Sequence, residues 1–175
     1  MGKRSNFERI PRDFYQTPLE AVLPLLDHLP LNTQFIEPCA GDGALVRHLE
    51  ASGHTCIEAY DIEPQNVDIY KADALQVYFG DRAEYLITNP PWDRNILHPL
   101  IDHFSAQVST WLLFDADWIH TKQSIPYLNR LRSIVSIGRI KWIPDSKMTG
   151  KDNCAWYLFV PEDRNPGEIT FYGRN

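Results

Sequence analysis

The stretch Gln34-Phe35-Ile36-Glu37-Pro38-Cys39-Ala40-Gly41-Asp42-Gly43 decides the fold. Four residues suited to a strand run into a turn with two glycines. Ala44-Leu45-Val46-Arg47-His48-Leu49 then follows with the apolar spacing of a helix. Glycine allows the sharp reversal and lets a ligand come close to the main chain. Strand, glycine turn and helix form the opening unit of an α/β domain, with free N–H groups at the helix start. A dinucleotide site requires Gly-x-Gly-x-x-Gly and a pyrophosphate over that helix. Here Glu37 and Asp42 accompany the turn, and two carboxylates repel a pyrophosphate. They suit a cationic ligand with an α-amino group and a sulfonium, although the same turn also serves as a plain structural connection.

Upstream, Thr17-Pro18 predicts a helix start, with Thr17 as N-cap and proline in the first turn. Leu19, Val22, Leu23 and Leu26 form its apolar face, Pro24 should kink or shorten it, and Pro30 ends it. Downstream, residues 55–60, 67–70, 85–88 and 110–114 predict strands 2 to 5. Helices are expected over 43–51, 74–78, 96–104 and 125–131. Residues 134–142 and 154–160 predict a long antiparallel pair around loop 143–153, and 168–172 is a candidate last edge strand. The pattern implies a single Rossmann-like domain over 1–175 with a basic arm over 1–13. It is an α/β, doubly wound, mostly parallel seven-stranded sheet closed by an antiparallel C-terminal strand pair. Ligands in such sheets bind beyond the carboxyl ends of the strands, so the chemistry is expected in the loops after strands 1 to 4.

With 175 residues and 43% hydrophobic content, the chain can bury a core without a metal or disulfide staple. Cys39, Cys56 and Cys154 are odd in number and form no CxxC pair, which argues against a disulfide framework or a zinc site and for a reducing compartment. No apolar run approaches the ~20 residues of a membrane span, and no signal-peptide pattern opens the chain. A cytoplasmic protein is expected. The net charge of −6 at first argues against a nucleic-acid partner. Its distribution argues otherwise: residues 13–121 hold 4 cations and 17 acids, whereas 122–151 hold seven cations, among them Arg139, Lys147 and Lys151, against the single acid Asp145. A basic segment beside an acidic body is what a phosphate-tracking face needs; a solvated charged surface is the alternative.

Three further loops carry chemistry. Asp61 ends strand 2, where an acid can accept from both ribose hydroxyls, and Ile62 can cover an adenine face; a surface acid ending a strand is the alternative. Asp73-Ala74 follows strand 3, where Asp73 either accepts from an adenine amino group or caps a helix. The sharpest signal is Leu86-Ile87-Thr88 running into Asn89-Pro90-Pro91-Trp92. Two prolines fix φ and remove two donors. The Asn89 side-chain oxygen and the Pro90 carbonyl are left as rigidly aimed acceptors. An exocyclic amine is a poor nucleophile because its lone pair is conjugated into the ring. Two acceptors on its N–H bonds pull the nitrogen towards tetrahedral geometry and localise that pair. Trp92 offers a flat face to a base, and Trp142 a second. A rigid turn with a core tryptophan is the plain alternative.

These residues together resemble the class I S-adenosylmethionine-dependent methyltransferases, specifically those that modify adenine N6 in DNA. Phe14-Tyr15-Gln16-Thr17-Pro18 is similar to the family's N-terminal cofactor motif. Glu37 to Gly43, Asp61, Asp73 and Asn89 to Trp92 follow in the gamma order. Asp152-Asn153-Cys154-Ala155-Trp156-Tyr157 resembles the last strand pair of short phage and prophage enzymes. The resemblance covers residues 14–160. It implies S-adenosylmethionine as cofactor, with Glu37 at the methionine amino group. Pro38, Ala40, Gly41 and Gly43 would lie along methionine, Tyr15 and Thr17 at its end, and Asp61, Ile62, Asp73 and Ala74 around the adenosine. It also implies Asn89, Pro90, Pro91 and Trp92 as the catalytic loop.

Arg139, Trp142, Lys147 and Lys151 are the expected nucleic-acid contacts. Only 45 residues separate Gly43 from Asn89 and 15 follow Val160, which leaves no room for a target-recognition domain. Specificity is therefore expected to come from loops 92–95, 118–124 and 143–153, or from a partner, or to be weak, and a specificity partner or a homodimer is the assembly to consider. The alternatives are the same chemistry on RNA adenine, guanine N2 or a protein glutamine, and a non-catalytic subunit that binds nucleic acid.

Overall fold

The computed structural model describes residues 15–143, 150–164 and 167–174. Phe14, the arm 1–13 and Lys147 lie outside them. In chain order the elements are α1 (Leu19–Leu26), β1 (Gln34–Glu37), α2 (Ala44–Ala51), β2 (Thr55–Asp61), β3 (Tyr70–Lys71), β4 (Tyr85–Thr88), α3 (Arg94–Ser105), β5 (Thr110–Asp115), β6 (Leu131–Arg139), β7 (Asn153–Phe159) and β8 (Thr170–Tyr172). Short 3-10 turns fill Ala74–Gln76, Gly80–Arg82, Ala116–His120, Lys122–Tyr127 and Glu162–Arg164.

The sheet has eight strands in the order β3-β2-β1-β4-β5-β7-β6-β8, which corrects the expected seven. The added strand is β8, whose three residues pair parallel with β6 from Ser133↔Thr170 to Val135↔Tyr172. The first five strands are parallel, and β7 runs antiparallel to both β5 and β6. From β1 the chain winds outward to β2 and β3, then crosses back to β4 on the other flank of β1. The switch point therefore lies between the carboxyl ends of β1 and β4, where an open α/β sheet binds its ligands.

Side-chain alternation builds two cores, one on each face. Phe35, Ile87, Trp111, Leu113, Val135 and Trp156 pack with Val22, Leu25, Leu45 and Leu49 of α1 and α2. Their neighbours Ile36, Leu86, Leu112, Phe114, Ile134 and Tyr157 pack with Leu97, Leu100, Ile101 and Phe104 of α3. Continuous apolar strands are what a sheet covered on both faces requires.

Several boundaries differ from expectation for local reasons. Thr17 does not cap α1; Pro18 holds the N-cap position with no side-chain cap bond, and the buried Thr17 turns inward. The helix passes through Pro24 and ends two residues later. Asp93 accepts from the Asn95 amide and starts α3 at Arg94, two residues early. The segment expected as a helix over 125–131 is a 3-10 turn over Lys122–Tyr127 containing Pro126, and Leu131 already belongs to β6. Among the described residues, no helix is long and apolar enough to cross a membrane.

Candidate active site

The loops after β1, β2 and β4 meet over the switch point. In the first loop, Gly41 (φ 56°) and Gly43 (φ 80°) adopt left-handed backbone, which explains both glycines. A Cβ on Gly43 would meet nothing closer than 3.5 Å, so conformation rather than space selects glycine there. The loop is braced from the β2 side. Asp61 accepts from the Gly41 amide (2.8 Å) and, through its other oxygen, from the Glu63 amide (2.8 Å). Ala40 N–H donates to the Tyr60 carbonyl at 2.8 Å, and Gln65 N–H to the Gly41 carbonyl at 2.9 Å. Asp42 accepts from Ala44 N–H, from Arg47 and from Gln16.

Residues 15–17 cross the mouth of the site. Gln16 fastens this segment to Asp42 at 2.9 Å, and Thr17 Oγ1 accepts from Asn89 Nδ2 at 3.3 Å. One short strap thus joins the loop after β1 to the loop after β4.

Beneath it lies a cleft of about 540 Å³. Of the expected cofactor residues, Tyr15, Thr17, Glu37, Pro38, Ala40, Gly41, Asp61, Ile62, Asp73, Ala74 and Asn89 line it. Gly43 stands behind it at the N-cap of α2. Pro91 lines the cleft, whereas Pro90 is buried and Trp92 packs against both core layers. Gln16, Cys39, Leu75, Ile96 and Leu100 also line it and were not anticipated. The last two sit four apart on α3, so the i, i+4 spacing directly after the Asn-Pro-Pro-Trp loop was a usable signal.

Glu37 dominates the electrostatics. It is 2% exposed, and its Oε2 has no hydrogen-bond partner. Burial, reinforced by the charges of Asp61 and Asp42, raises its carboxyl well above the usual carboxylate range. A buried acceptor facing an acid-lined cleft fits a ligand that brings a cation with N–H donors, not an anion. Asp73 caps Leu75 N–H at 3.0 Å, so the cap reading of that residue holds while it also lines the cleft.

Asn89 stands where β4 ends. Its Oδ1 accepts from Trp92 Nε1 at 3.3 Å, and that indole N–H also donates to the Leu113 carbonyl at 3.2 Å. Trp142 meets Trp92 edge-on, with centroids 5.7 Å apart and planes at 84°, and Tyr15 touches Trp142 at 6.3 Å. Perpendicular rings in contact leave no parallel slot, so the expected sandwich of a base between Trp92 and Trp142 is not formed. Among the described residues, no group of three or more His, Cys, Asp or Glu side chains is placed to hold a metal ion.

The sequence matches no family model and no curated protein. Solved structures do match. A provisionally assigned class I S-adenosylmethionine-dependent methyltransferase from Listeria monocytogenes aligns with TM-score 0.60 at 9% identity, over 94% of this chain and 67% of that one. The fold is that of the class I methyltransferases. A provisionally assigned RNA methyltransferase from Pyrococcus horikoshii aligns at 0.60 and 17%, over 90% and 92%. The methyltransferase subunit of a type I restriction-modification system from Streptococcus thermophilus aligns at 0.57 and 7%, over 91% of this chain and 47% of the subunit.

Proposed function

We propose that this chain is an S-adenosylmethionine-dependent methyltransferase that transfers a methyl group to an exocyclic amine, N6 of adenine in DNA. The observation that carries the reading is the placement of the Asn89 amide. It stands at the switch point, on the rim of an acid-lined cleft, braced at both ends by hydrogen bonds. The likeness of the fold to restriction-modification and RNA methyltransferases supports a nucleic-acid substrate.

The orphaned Glu37 oxygen fits the ammonium of S-adenosylmethionine, and the two left-handed glycines give methionine room against the loop. Asp61 and Asp73 retain lone pairs for the ribose and the adenine amino group, with Ile62, Ala74 and Leu75 as apolar walls. The cofactor supplies an electrophilic methyl carbon. Asn89 Oδ1, with one lone pair left, and the Pro90 carbonyl accept from the target amine. They favour its tetrahedral form and stabilise the positive charge that develops on nitrogen. The proton leaves afterwards, so no strong base is required. The target base must first leave its stack.

Phosphate contacts fall to the β6–β7 hairpin. Its Arg139↔Asn153 end lies beside Asp115↔Cys154, so the end of β6 and the start of β7 lie at the same sheet edge as the cleft. In this reading Arg139, Trp142 and Lys151 meet the nucleic acid there. We read the chain as a single domain whose target selection comes from these loops or from a partner.

The test is Asn89→Ala. Transfer of tritiated methyl groups to DNA should fall ~10²–10³-fold in kcat, as for other preorganised polar groups. Cofactor affinity by calorimetry should stay near that of the unaltered protein. Transfer at the unaltered rate overturns the reading. Labelling of RNA or protein in place of DNA moves the substrate and leaves the chemistry.

A further inference from the structure

We infer that Trp92 is a positioning residue: its indole N–H decides which end of the Asn89 amide is oxygen and holds that acceptor in the orientation the reaction uses. The inference rests on the proposed role of Asn89. The two ends of an asparagine amide are nearly equal in shape and opposite in hydrogen-bonding sense, so a half-turn about the last side-chain bond exchanges acceptor for donor. An amide meant to accept from a substrate amine must be prevented from making that turn.

Among the described residues, Thr17 and Trp92 hydrogen-bond the Asn89 amide, and they are not equivalent. Thr17 Oγ1, 3.3 Å from Nδ2, is a hydroxyl that donates as readily as it accepts, so it satisfies either orientation. The indole N–H only donates. Turned about, the amide would set its own N–H hydrogens against Trp92 Nε1, donor facing donor, at a part-buried position. The choice therefore belongs to Trp92.

The indole itself cannot yield. Its N–H is shared with the Leu113 carbonyl, one residue beyond the last β4–β5 pair, Thr88↔Leu112. The ring packs against both core layers and meets Trp142 edge-on. β5 thus fixes Trp92, and Trp92 fixes Asn89. A ring that served only to stack a base would lose little on becoming phenylalanine; a ring that orients the amide would lose its function.

The experiment compares Trp92→Phe, Asn89→Ala and Asn89→Asp in the full chain, with methyl transfer to adenine-containing oligodeoxynucleotides as the assay. Trp92→Phe should lower kcat about tenfold or more, the loss expected when one hydrogen bond fixing a reactive rotamer goes, with KM and cofactor affinity within about twofold. In the Asn89→Asp background a carboxylate has two like oxygens and no wrong orientation, so the same Trp92→Phe change should cost far less. That non-additivity separates positioning from mere packing. A second readout needs no turnover. In the ¹⁵N–¹H spectrum of the unaltered protein, the Trp92 indole proton should be protected from solvent exchange and should shift on Asn89→Ala. An indole that ignores Asn89→Ala, or a Trp92→Phe enzyme with unaltered kcat beside an inactive Asn89→Ala enzyme, overturns the inference and leaves the methyltransferase reading standing. Full activity of Asn89→Ala, or no transfer by the unaltered protein, overturns that reading and the inference with it.

Discussion

Burying Glu37 without a partner for Oε2 makes the free protein prefer the protonated acid. Its folded-state pKa is raised, so the folded chain holds a proton that the unfolded chain has already released. Stability is greatest below the ordinary carboxylate pKa and declines as pH rises through the elevated one. Glu37→Gln keeps the shape and removes the charge. At pH above the elevated pKa it should raise stability by about 1–3 kcal/mol in urea denaturation while S-adenosylmethionine binding collapses; below the ordinary carboxylate pKa the stability gain should vanish. An ammonium ligand restores the ionised form, so binding at a pH between the ordinary and the elevated pKa should release a proton. Calorimetry in buffers of different ionisation enthalpy measures it, and no proton release would remove Glu37 from the ammonium site. Asp61 illustrates what single residues do not disclose. Its place at a strand end suggested a ribose ligand; in addition one oxygen holds the Glu63 amide two residues on, and the other holds the Gly41 amide, a partnership 20 residues distant along the chain that no local pattern encodes. Asp61→Ala should therefore cost about 1.5–3 kcal/mol of cofactor affinity by calorimetry and also loosen the Gly41 turn.

β1 and β4 were legible to the residue because each is a four-residue run bracketed by turn chemistry, with a proline one or two residues beyond its end. β3 was not. The sequence favours a strand over Val67–Tyr70 by β-propensity, yet Val67 is almost fully exposed and the ladder covers only Tyr70 and Lys71, at Tyr60↔Tyr70 and Asp61↔Lys71, where β2 supplies partners. β6 begins three residues early and ends at Arg139, with irregular register around Gly138. Register follows the neighbouring strand, which the local sequence does not contain. The glycine loop before α2 is the opposite case, where local demand alone names the residue. Gly43→Ala meets only ordinary van der Waals contacts, from 3.5 Å outward, and the left-handed φ alone opposes it, so a loss of about 1–2 kcal/mol is expected by denaturant titration. A much larger loss would show that the loop has moved.

The acidic body and basic C-terminal segment were visible in the charges, whereas the way β6 carries Arg139 to the cleft edge was a matter of topology. If the hairpin follows phosphates, DNA binding should weaken steeply with salt. An Arg139→Ala, Lys151→Ala double variant should flatten the log–log slope by about 1.8, near 0.9 per lost contact. Equal slopes would make the segment an ordinary surface. The same topology governs how the sheet is made. β6 lies between β7 and β8, and both are synthesised after it. When Arg139 leaves the ribosome, Leu131, Ile134, Val135 and Ile137 have no strand to join until Phe159 emerges, about 1–4 s later at ordinary elongation rates. The parallel half can assemble during translation, but the other half waits for a strand delivered late and inserted into the middle. A stall between those two points would leave an apolar strand unpaired, open to chaperones and to other nascent chains.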